Sequence, residues 1–81
     1  MVQNINGIPN QFIITQDNGD ILFQSYESII VKKSKGKIYL DPVYWDYSKT
    51  TGKYRNICLG EDKKTTEQKI KSGEYILTNL N

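Results

Sequence analysis

The 81-residue sequence contains no histidine and no alanine, and it has only one cysteine, Cys58, and one arginine, Arg55. Without histidine the chain lacks the commonest metal ligand and the usual general base at neutral pH. A Ser–His–Asp or Cys–His nucleophile is excluded for the same reason. A structural zinc site needs about four Cys or His ligands, and the chain supplies one. The sequence therefore predicts a protein that is not an enzyme and that uses no metal and no cofactor.

Other absences bear on the compartment. A solitary cysteine cannot form a disulfide within the chain, which suits a reducing environment. No run approaches the roughly 18 apolar residues that cross a bilayer, and the first residues lack the basic and apolar parts of a signal peptide. The six glycines are isolated, so no phosphate-binding or dinucleotide-binding glycine pattern occurs. We therefore expect a cytoplasmic protein that does not contact a membrane.

Two carboxylates are the remaining candidates for catalysis. Asp41 and Asp46 bracket an aromatic segment and could in principle work as acid and base. A structural interpretation is favoured, because so small a core seldom holds a dry pocket. In that interpretation Asp41 ends a strand and Asp46 accepts local hydrogen bonds. Cys58 lies between Ile57 and Leu59 without a basic neighbour, which favours a buried, unreactive thiol.

The composition that remains is that of an ordinary globular protein, with 37% hydrophobic and 25% charged residues. This composition is sufficient for one domain with a thin core. We expect the protein to be a monomer, or a homodimer that gains stability by association. The formal net charge is +2, and all basic residues except Arg55 are lysines spread along the chain. A nucleic-acid-binding domain is usually more basic, with its charge clustered.

The N-terminal half predicts a series of strands. Residues 1–10 are polar and are expected to form a flexible arm before a single domain over residues 11–81. Residues 11–15 and 20–25 flank Asn18-Gly19, which is the strongest short signal for a hairpin.

A second hairpin is predicted from residues 28–33 and 37–41, around Ser34-Lys35-Gly36. In its second strand Ile38 and Leu40 alternate with polar residues and Tyr39, which predicts a sheet covered on one face only. Pro42 ends this strand because it cannot donate to a ladder. These elements predict an antiparallel meander of about four strands.

The C-terminal half predicts helices. Residues 43–48 are expected to be extended, while residues 49–60 fit either a helix or a hairpin that turns at Thr51-Gly52. The helix is favoured because Ser48 or Thr50 can cap its start and Gly60 can end it. On this helix one face would carry Tyr54, Ile57 and Cys58.

Residues 65–73 predict a further short helix, with a capping box of Thr65 and Gln68 and an end at Gly73. Residues 74–80 follow as a final strand or a packed tail. The predicted fold is therefore α+β, an antiparallel β-meander packed with one or two short C-terminal helices.

Residues 44–55 stand out because they concentrate the only Trp, the only Arg and half of the tyrosines. Aromatic and cationic residues together can stack bases and neutralise phosphates, and the same residue types are enriched at protein–protein hot spots. Period-2 alternation assigns Trp45 to the core and Tyr47 to its margin. The candidate contact surface consists of Tyr44, Asp46, Tyr47, Lys49, Thr50, Thr51, Lys53 and Arg55, although Arg55 and Asp46 could instead pair with each other.

The same region carries a resemblance. Trp45-Asp46-Tyr47-Ser48, Thr50-Thr51, Lys53-Tyr54-Arg55-Asn56 and Leu59-Gly60-Glu61 follow a pattern that resembles a family of small proteins encoded by phages of low-GC Gram-positive bacteria. Cys58 departs from it, because a phenylalanine would be expected there. The resemblance covers the C-terminal half and implies a phage or prophage origin; it supplies no mechanism.

Two functions follow as hypotheses. The first is a phage accessory protein that binds a host or phage protein in the host cytoplasm, for example to inhibit a host defence or replication enzyme. The alternative is a nucleic-acid-binding module for single strands rather than duplex, which would use Tyr44, Tyr47, Lys49, Lys53 and Arg55. The net charge of +2 favours the first, because efficient phosphate binding needs more positive charge.

Overall fold

The computed structural model describes all 81 residues and assigns them to six β-strands and two α-helices. All six strands form one sheet in which each lies beside its neighbour in sequence, and this confirms the predicted α+β class. The elements are β1 (Val2–Asn4), β2 (Gln11–Thr15), β3 (Ile21–Ser25), β4 (Ser28–Ser34), β5 (Lys37–Leu40), α1 (Lys49–Leu59), α2 (Lys63–Ser72) and β6 (Tyr75–Leu77).

Both predicted hairpins are confirmed. The backbone conformation of each turn explains where the chain reverses. β2 and β3 join through a turn in which Gly19 has a φ of +92°. β4 and β5 join through Lys35 and Gly36, with φ of +52° and +77°. Glycine adopts positive φ without steric cost, so these glycines fix where each hairpin reverses.

The first ten residues contain an edge strand of the sheet and a short 3-10 turn, where a flexible arm was expected. β1 pairs antiparallel with β2, with Val2 opposite Ile14. A 3-10 turn follows at Ile5–Gly7, and the side chain of Ile5 is buried. The polar sequence of this region does not predict a strand. An edge strand forms backbone hydrogen bonds on one side only, and here a single isoleucine, Ile5, is buried.

β6 pairs parallel with β5, with Ile38 opposite Tyr75. A parallel neighbour cannot be reached by a tight turn and requires a crossover connection. Here α1 and α2 form that crossover. In chain order both helices lie between β5 and β6, which are adjacent strands of the sheet. This connection adds β6, which is the final strand predicted as one alternative for residues 74–80, and β1 brings the total to six strands.

The core lies on the helix-covered face of the sheet. Phe23, Val31 and Leu40 are completely buried there, and the Lys33 ammonium reaches the carbonyl oxygen of Cys58 in α1 at 2.9 Å. On the opposite face Ile76 remains 38% exposed. The prediction of a sheet covered on one face is therefore confirmed.

α1 begins and ends as predicted, and the hairpin alternative for these residues is wrong. The Ser48 hydroxyl oxygen accepts from the Thr51 N–H at 3.1 Å, and Gly60 ends the helix with a φ of +70°. The predicted apolar face is only partly correct, because Ile57 is 48% exposed while Thr51 and Arg55 are buried. Hydrogen bonds compensate these two polar side chains for most of the cost of burial, although the Arg55 Nε atom has no partner. An apolar-inside pattern does not anticipate such burial.

α2 begins two residues before the predicted capping box. Asp62 is the N-cap residue, and its carboxylate oxygen accepts from the Thr65 N–H at 2.8 Å. Gly73 ends the helix with a φ of +84°, as expected. Neither α1 nor α2 has the length and apolar character that a membrane-spanning helix requires.

The segment between β5 and α1 turns rather than extends, which corrects the period-2 interpretation. The Trp45 N–H donates to the Asp41 carbonyl oxygen at 3.0 Å, and the Tyr47 N–H donates to the Tyr44 carbonyl oxygen at 3.3 Å. Trp45 consequently packs against the core but is only half-buried, and Tyr47 is 69% exposed rather than at the core margin.

Candidate binding cleft

A buried carboxylate fixes the turn that leads from β5 to α1. The Oδ2 atom of Asp41 accepts hydrogen bonds from the N–H groups of Val43 and Tyr44, each at 3.0 Å. Its Oδ1 atom accepts from the Leu80 N–H at 2.9 Å and from the Asn81 side-chain amide at 3.1 Å. Asp41 therefore sets the point at which Tyr44 leaves the sheet and ties the C-terminal tail to the same point.

Beside this turn lies a cleft of about 490 Å³, which we call the tyrosine cleft. Tyr44 and Tyr47 contribute two adjacent rings, with centroids 5.6 Å apart and planes inclined by 58°. The β3–β4 turn contributes Tyr26 and Glu27. The complete lining is Asn10, Ser25, Tyr26, Glu27, Ser28, Ile30, Tyr44, Tyr47 and Thr51.

The tyrosines of the cleft differ in how far they are exposed. Tyr26 and Tyr47 are 53% and 69% exposed, whereas Tyr44 is half-buried and packs against the core. Tyrosine is enriched at protein interfaces because its ring combines apolar area with a polar hydroxyl and few rotatable bonds. Tyr26 and Tyr47 therefore offer aromatic surface to a ligand without unfolding any element.

The backbone at one edge of the cleft is in an unfavourable conformation. Tyr26 and Asn10 both have left-handed φ, at +55° and +65°, and the Tyr26 N–H donates to the Asn10 carbonyl oxygen at 2.7 Å. A left-handed conformation costs a residue with a side chain about 1–2 kcal/mol. Asparagine tolerates it, but a bulky tyrosine is uncommon there. Such strained positions cluster at ligand-binding sites.

Hydroxyl groups form the polar floor of the cleft. The Ser25 and Thr51 hydroxyl oxygens lie 3.0 Å apart, and the Ser48 hydroxyl donates to that of Thr51 at 3.2 Å. Gln11 lies opposite Ser25 in the β2–β3 pairing and is completely buried. Neither polar atom of the Gln11 amide has a hydrogen-bonding partner in the protein.

Arg55 faces the interior, which corrects its expected role as a contact residue. Its side chain is 1% exposed, and its Nη1 donates to the Trp45 carbonyl oxygen at 2.6 Å and to the Asp46 carboxylate at 3.2 Å. Its Nη2 donates to the Asn56 side-chain oxygen at 2.9 Å, and its guanidinium carbon lies 5.2 Å from the Trp45 ring centroid. The pairing of Arg55 with Asp46 is thus present, and Arg55 holds the turn against α1.

A polar groove lies next to this arginine. It contains the lysines Lys49, Lys53 and Lys63 and no hydrophobic residue, and we call it the lysine groove. Lys63 pairs with Asp46 at 2.7 Å. Burial alone would raise the pKa of Asp46, but the hydrogen bonds and charges of Lys63 and Arg55 outweigh it, and the pKa lies below its ordinary value. Asp46 therefore neutralises part of the positive charge of the groove.

The structure divides the predicted contact surface between these two sites. Tyr44, Tyr47 and Thr51 line the tyrosine cleft. Asp46, Lys49, Lys53 and Arg55 line the lysine groove instead, and Thr50 lines neither although it is exposed.

The N-terminal half contributes to the cleft, through Tyr26 and Glu27 among others, although it contains none of the predicted contact residues. One feature of the sequence could have indicated that the β3–β4 turn is part of a site. Tyr26 and Glu27 are the only residues between two predicted strands, at a tight turn where glycine or asparagine is the usual choice.

The other ionisable clusters have structural geometry. The Glu61 carboxylate accepts from Lys69, at 2.8 Å, and from the Tyr75 hydroxyl, also at 2.8 Å. Burial and the bond to Glu61 raise the pKa of Tyr75, which makes it a weaker acid. Burial likewise raises the pKa of the Cys58 thiol, so less thiolate forms at neutral pH. No three His, Cys, Asp or Glu side chains lie together in an arrangement that could hold a metal ion.

The chain belongs to a family of unknown function, DUF8033, whose family model matches residues 3–74. The match begins in β1 and extends through α2, so it includes every residue of the tyrosine cleft. Neither the comparison with curated proteins nor the comparison with solved structures found a match.

Proposed function

We propose that this protein is a non-enzymatic binding domain that holds a segment of a partner protein in the tyrosine cleft. Its setting would be that of a phage or prophage accessory protein acting on a host or phage protein, as the sequence resemblance implies. Inhibition of a host defence or replication enzyme is one form that such binding would take.

One observation carries the proposal: two exposed tyrosines line a preformed cleft, and one of them, Tyr26, has a strained backbone. Tyr47 is 69% exposed, and Tyr26 is 53% exposed with a φ of +55°. Because hydrogen bonds to Asp41 and Asn10 fix the backbone at Tyr44 and Tyr26, little backbone entropy remains to be lost at these residues on binding. A surface of this kind favours complementary contact with a polypeptide.

The nucleic-acid alternative has less support from the geometry. Base stacking requires aromatic rings beside a positively charged backbone track. Here the cleft tyrosines and the lysines line different sites, and Arg55 is buried. We therefore expect no mobility shift of a labelled single-stranded oligonucleotide at about 50 mM salt, the condition that favours phosphate contacts.

The test is partner capture with matched variants. Wild-type protein, Tyr47→Ala and Ile57→Ala are immobilised and exposed to lysates of low-GC Gram-positive hosts, before and after phage infection. Both substituted side chains are exposed, but Ile57 lies outside the cleft. We expect a stoichiometric protein that wild type and Ile57→Ala retain and that Tyr47→Ala loses.

Two results would count against the proposal. A partner retained equally by Tyr47→Ala would place binding outside the cleft. Absence of any stoichiometric protein across these hosts, together with a salt-sensitive shift of the oligonucleotide, would favour the nucleic-acid module.

A further inference from the structure

We infer that the tyrosine cleft receives a cationic side chain, lysine or arginine, from the partner protein. This inference rests on the proposed function, since it names the chemistry by which the same site would recognise that partner. The partner segment would therefore be basic although this protein itself has a net charge of +2.

The charge of the cleft is the first reason. Glu27 is the only charged residue among those that line it, although the chain has eleven basic residues against nine acidic ones. The basic side chains of α1 itself, Lys49, Lys53 and Arg55, line the lysine groove instead. The cleft thus combines one carboxylate with low local positive charge, which attracts a cation and disfavours an anion.

The aromatic rings are the second reason. The face of a tyrosine ring attracts a cation that lies within about 6 Å of the ring centroid. Three rings elsewhere in this protein have such a cation; of these, Trp45 has Arg55 at 5.2 Å from its centroid, and Tyr75 has Lys69 at 5.2 Å. Lys53 likewise lies 5.5 Å from the ring of Tyr54.

By contrast, no lysine or arginine of the chain lies over the rings of Tyr26, Tyr44 or Tyr47. The rings of Tyr44 and Tyr47, with planes inclined by 58°, both line the cleft. A cation supplied by the partner would therefore find aromatic surface that the protein's own cations do not use.

The polar groups of the cleft are the third reason. Ammonium and guanidinium groups only donate hydrogen bonds. The Glu27 carboxylate can only accept them, and the Ser28 and tyrosine hydroxyl oxygens can accept them as well. Because Glu27 is exposed, a neutral apolar side chain that covered its carboxylate would displace water without replacing the lost hydrogen bonds.

The experiment uses capped amino acids as probes and the full chain as receptor. N-acetyl-lysine methylamide and N-acetyl-arginine methylamide are titrated at constant ionic strength into ¹⁵N-labelled protein, with N-acetyl-norleucine methylamide as the uncharged probe. We expect saturable amide shifts for both cations at Tyr26, Glu27, Tyr44 and Tyr47. The norleucine probe should bind at least about fivefold more weakly, the fold-change for a contact of about 1 kcal/mol.

A pair of charge-matched variants isolates the carboxylate. Glu27→Gln should weaken binding of the lysine probe about fivefold. Asp17→Asn removes the same unit of charge from the exposed β2–β3 turn, outside the cleft, and should leave binding unchanged. Equal weakening by both variants would mean that only the overall charge matters, and it would overturn the inference.

Further outcomes separate this inference from the proposed function. Equal or tighter binding of the norleucine probe would overturn the inference of a cationic ligand and leave the proposed binding cleft intact. The absence of amide shifts in the cleft with either cationic probe, while partner binding still depends on Tyr47, would have the same meaning. A partner that does not depend on Tyr47 would overturn the proposed function itself.

Discussion

The Tyr26 N–H donates a 2.7 Å hydrogen bond to the Asn10 carbonyl oxygen, and both residues have a left-handed backbone at the edge of the tyrosine cleft. This bond joins the β3–β4 turn to the residue that precedes β2. It holds a tyrosine at a position where asparagine or glycine would be less strained. The strained backbone at Tyr26 therefore lowers the free energy of unfolding while it places an aromatic side chain at that edge of the cleft.

Tyr26→Asn tests this trade-off. Because asparagine tolerates left-handed φ, the free energy of unfolding should stay the same or rise by up to about 1 kcal/mol. Partner binding should weaken with loss of the ring. Urea denaturation and partner capture measure the two effects.

The control is Lys35→Asn, at a left-handed residue with φ of +52° in the β4–β5 turn, outside the cleft. It should change stability in the same direction and leave binding intact. A loss of more than about 1 kcal/mol in Tyr26→Asn, beyond ordinary surface effects, would mean that Tyr26 is kept for packing rather than for binding.

Arg55→Lys should lower the free energy of unfolding by about 2–3 kcal/mol, because an ammonium cannot reproduce the planar set of donors to Trp45, Asp46 and Asn56. Arg55→Ala should cost about 3–5 kcal/mol, as expected when one partner of a buried ion pair is removed. Lys49→Ala, exposed on the same helix, should change stability by less than about 0.5 kcal/mol. Urea denaturation measures all three, and a similarly small effect for Arg55→Lys would contradict the structural role of the guanidinium.

Gln11→Leu should raise the free energy of unfolding by about 1–2 kcal/mol. The Gln11 side chain is completely buried and its amide has no partner in the protein, so the apolar replacement removes an uncompensated desolvation penalty. Gln24→Leu on the neighbouring strand provides a comparison, because the Gln24 side chain is partly exposed. Its amide also has a partner, since it donates to the Tyr26 carbonyl oxygen at 2.7 Å. Thermal or urea unfolding that shows a loss of stability for Gln11→Leu would refute this account.

Acid should destabilise the protein partly through Asp41. Burial would raise the pKa of the Asp41 carboxyl, but hydrogen bonds from Leu80, Asn81, Tyr44 and Val43 outweigh it and hold the pKa below its ordinary value. A depressed folded-state pKa means that the stabilisation is complete above the unfolded-state pKa of about 3.9 and is lost as the pH falls through the folded-state pKa.

The free energy of unfolding, measured by urea denaturation, should therefore fall steeply below about pH 4 in wild type. Asp41→Asn should be less stable at neutral pH and should show a smaller fall, because the contribution of Asp41 is removed. Some fall should remain, because the pKa values of Asp46 and Glu61 are also lowered. Identical acid slopes in the two proteins would rule out Asp41 as a source of the pH dependence.

The parts of the fold that were predicted correctly depend on a few neighbouring residues. Gly19 and Gly36 mark the two hairpins, and Ser48 and Gly60 mark the ends of α1. These residues act through their own backbone conformation or through a hydrogen bond to a residue three positions away. The start of α2 was misplaced because both Asp62 and Thr65 are acceptable caps, and only the structure shows that Asp62 takes the role.

The candidate site was only half predicted. Tyr44 and Tyr47 were identified from their concentration in one segment, but Tyr26 and Glu27 come from another part of the chain. Arg55 was misjudged because arginine usually lies at the surface, and its burial depends on oxygens of Trp45, Asp46 and Asn56 that only the folded turn brings together. β1 was missed because its pairing with β2 leaves no periodic signal in so short a strand.

The sequence by itself determined the absence of imidazole chemistry, the two glycine-marked hairpins and the limits of α1, because each follows from residue type or from contacts within one turn of backbone. Only the tertiary structure decided that Arg55 faces inward, that residues 44–55 divide their aromatic and basic side chains between two sites, and that Tyr26 joins Tyr44 and Tyr47. Those outcomes depend on contacts that extend beyond one turn of backbone, and the free energy of such contacts is set by packing and hydrogen bonding that no local pattern encodes.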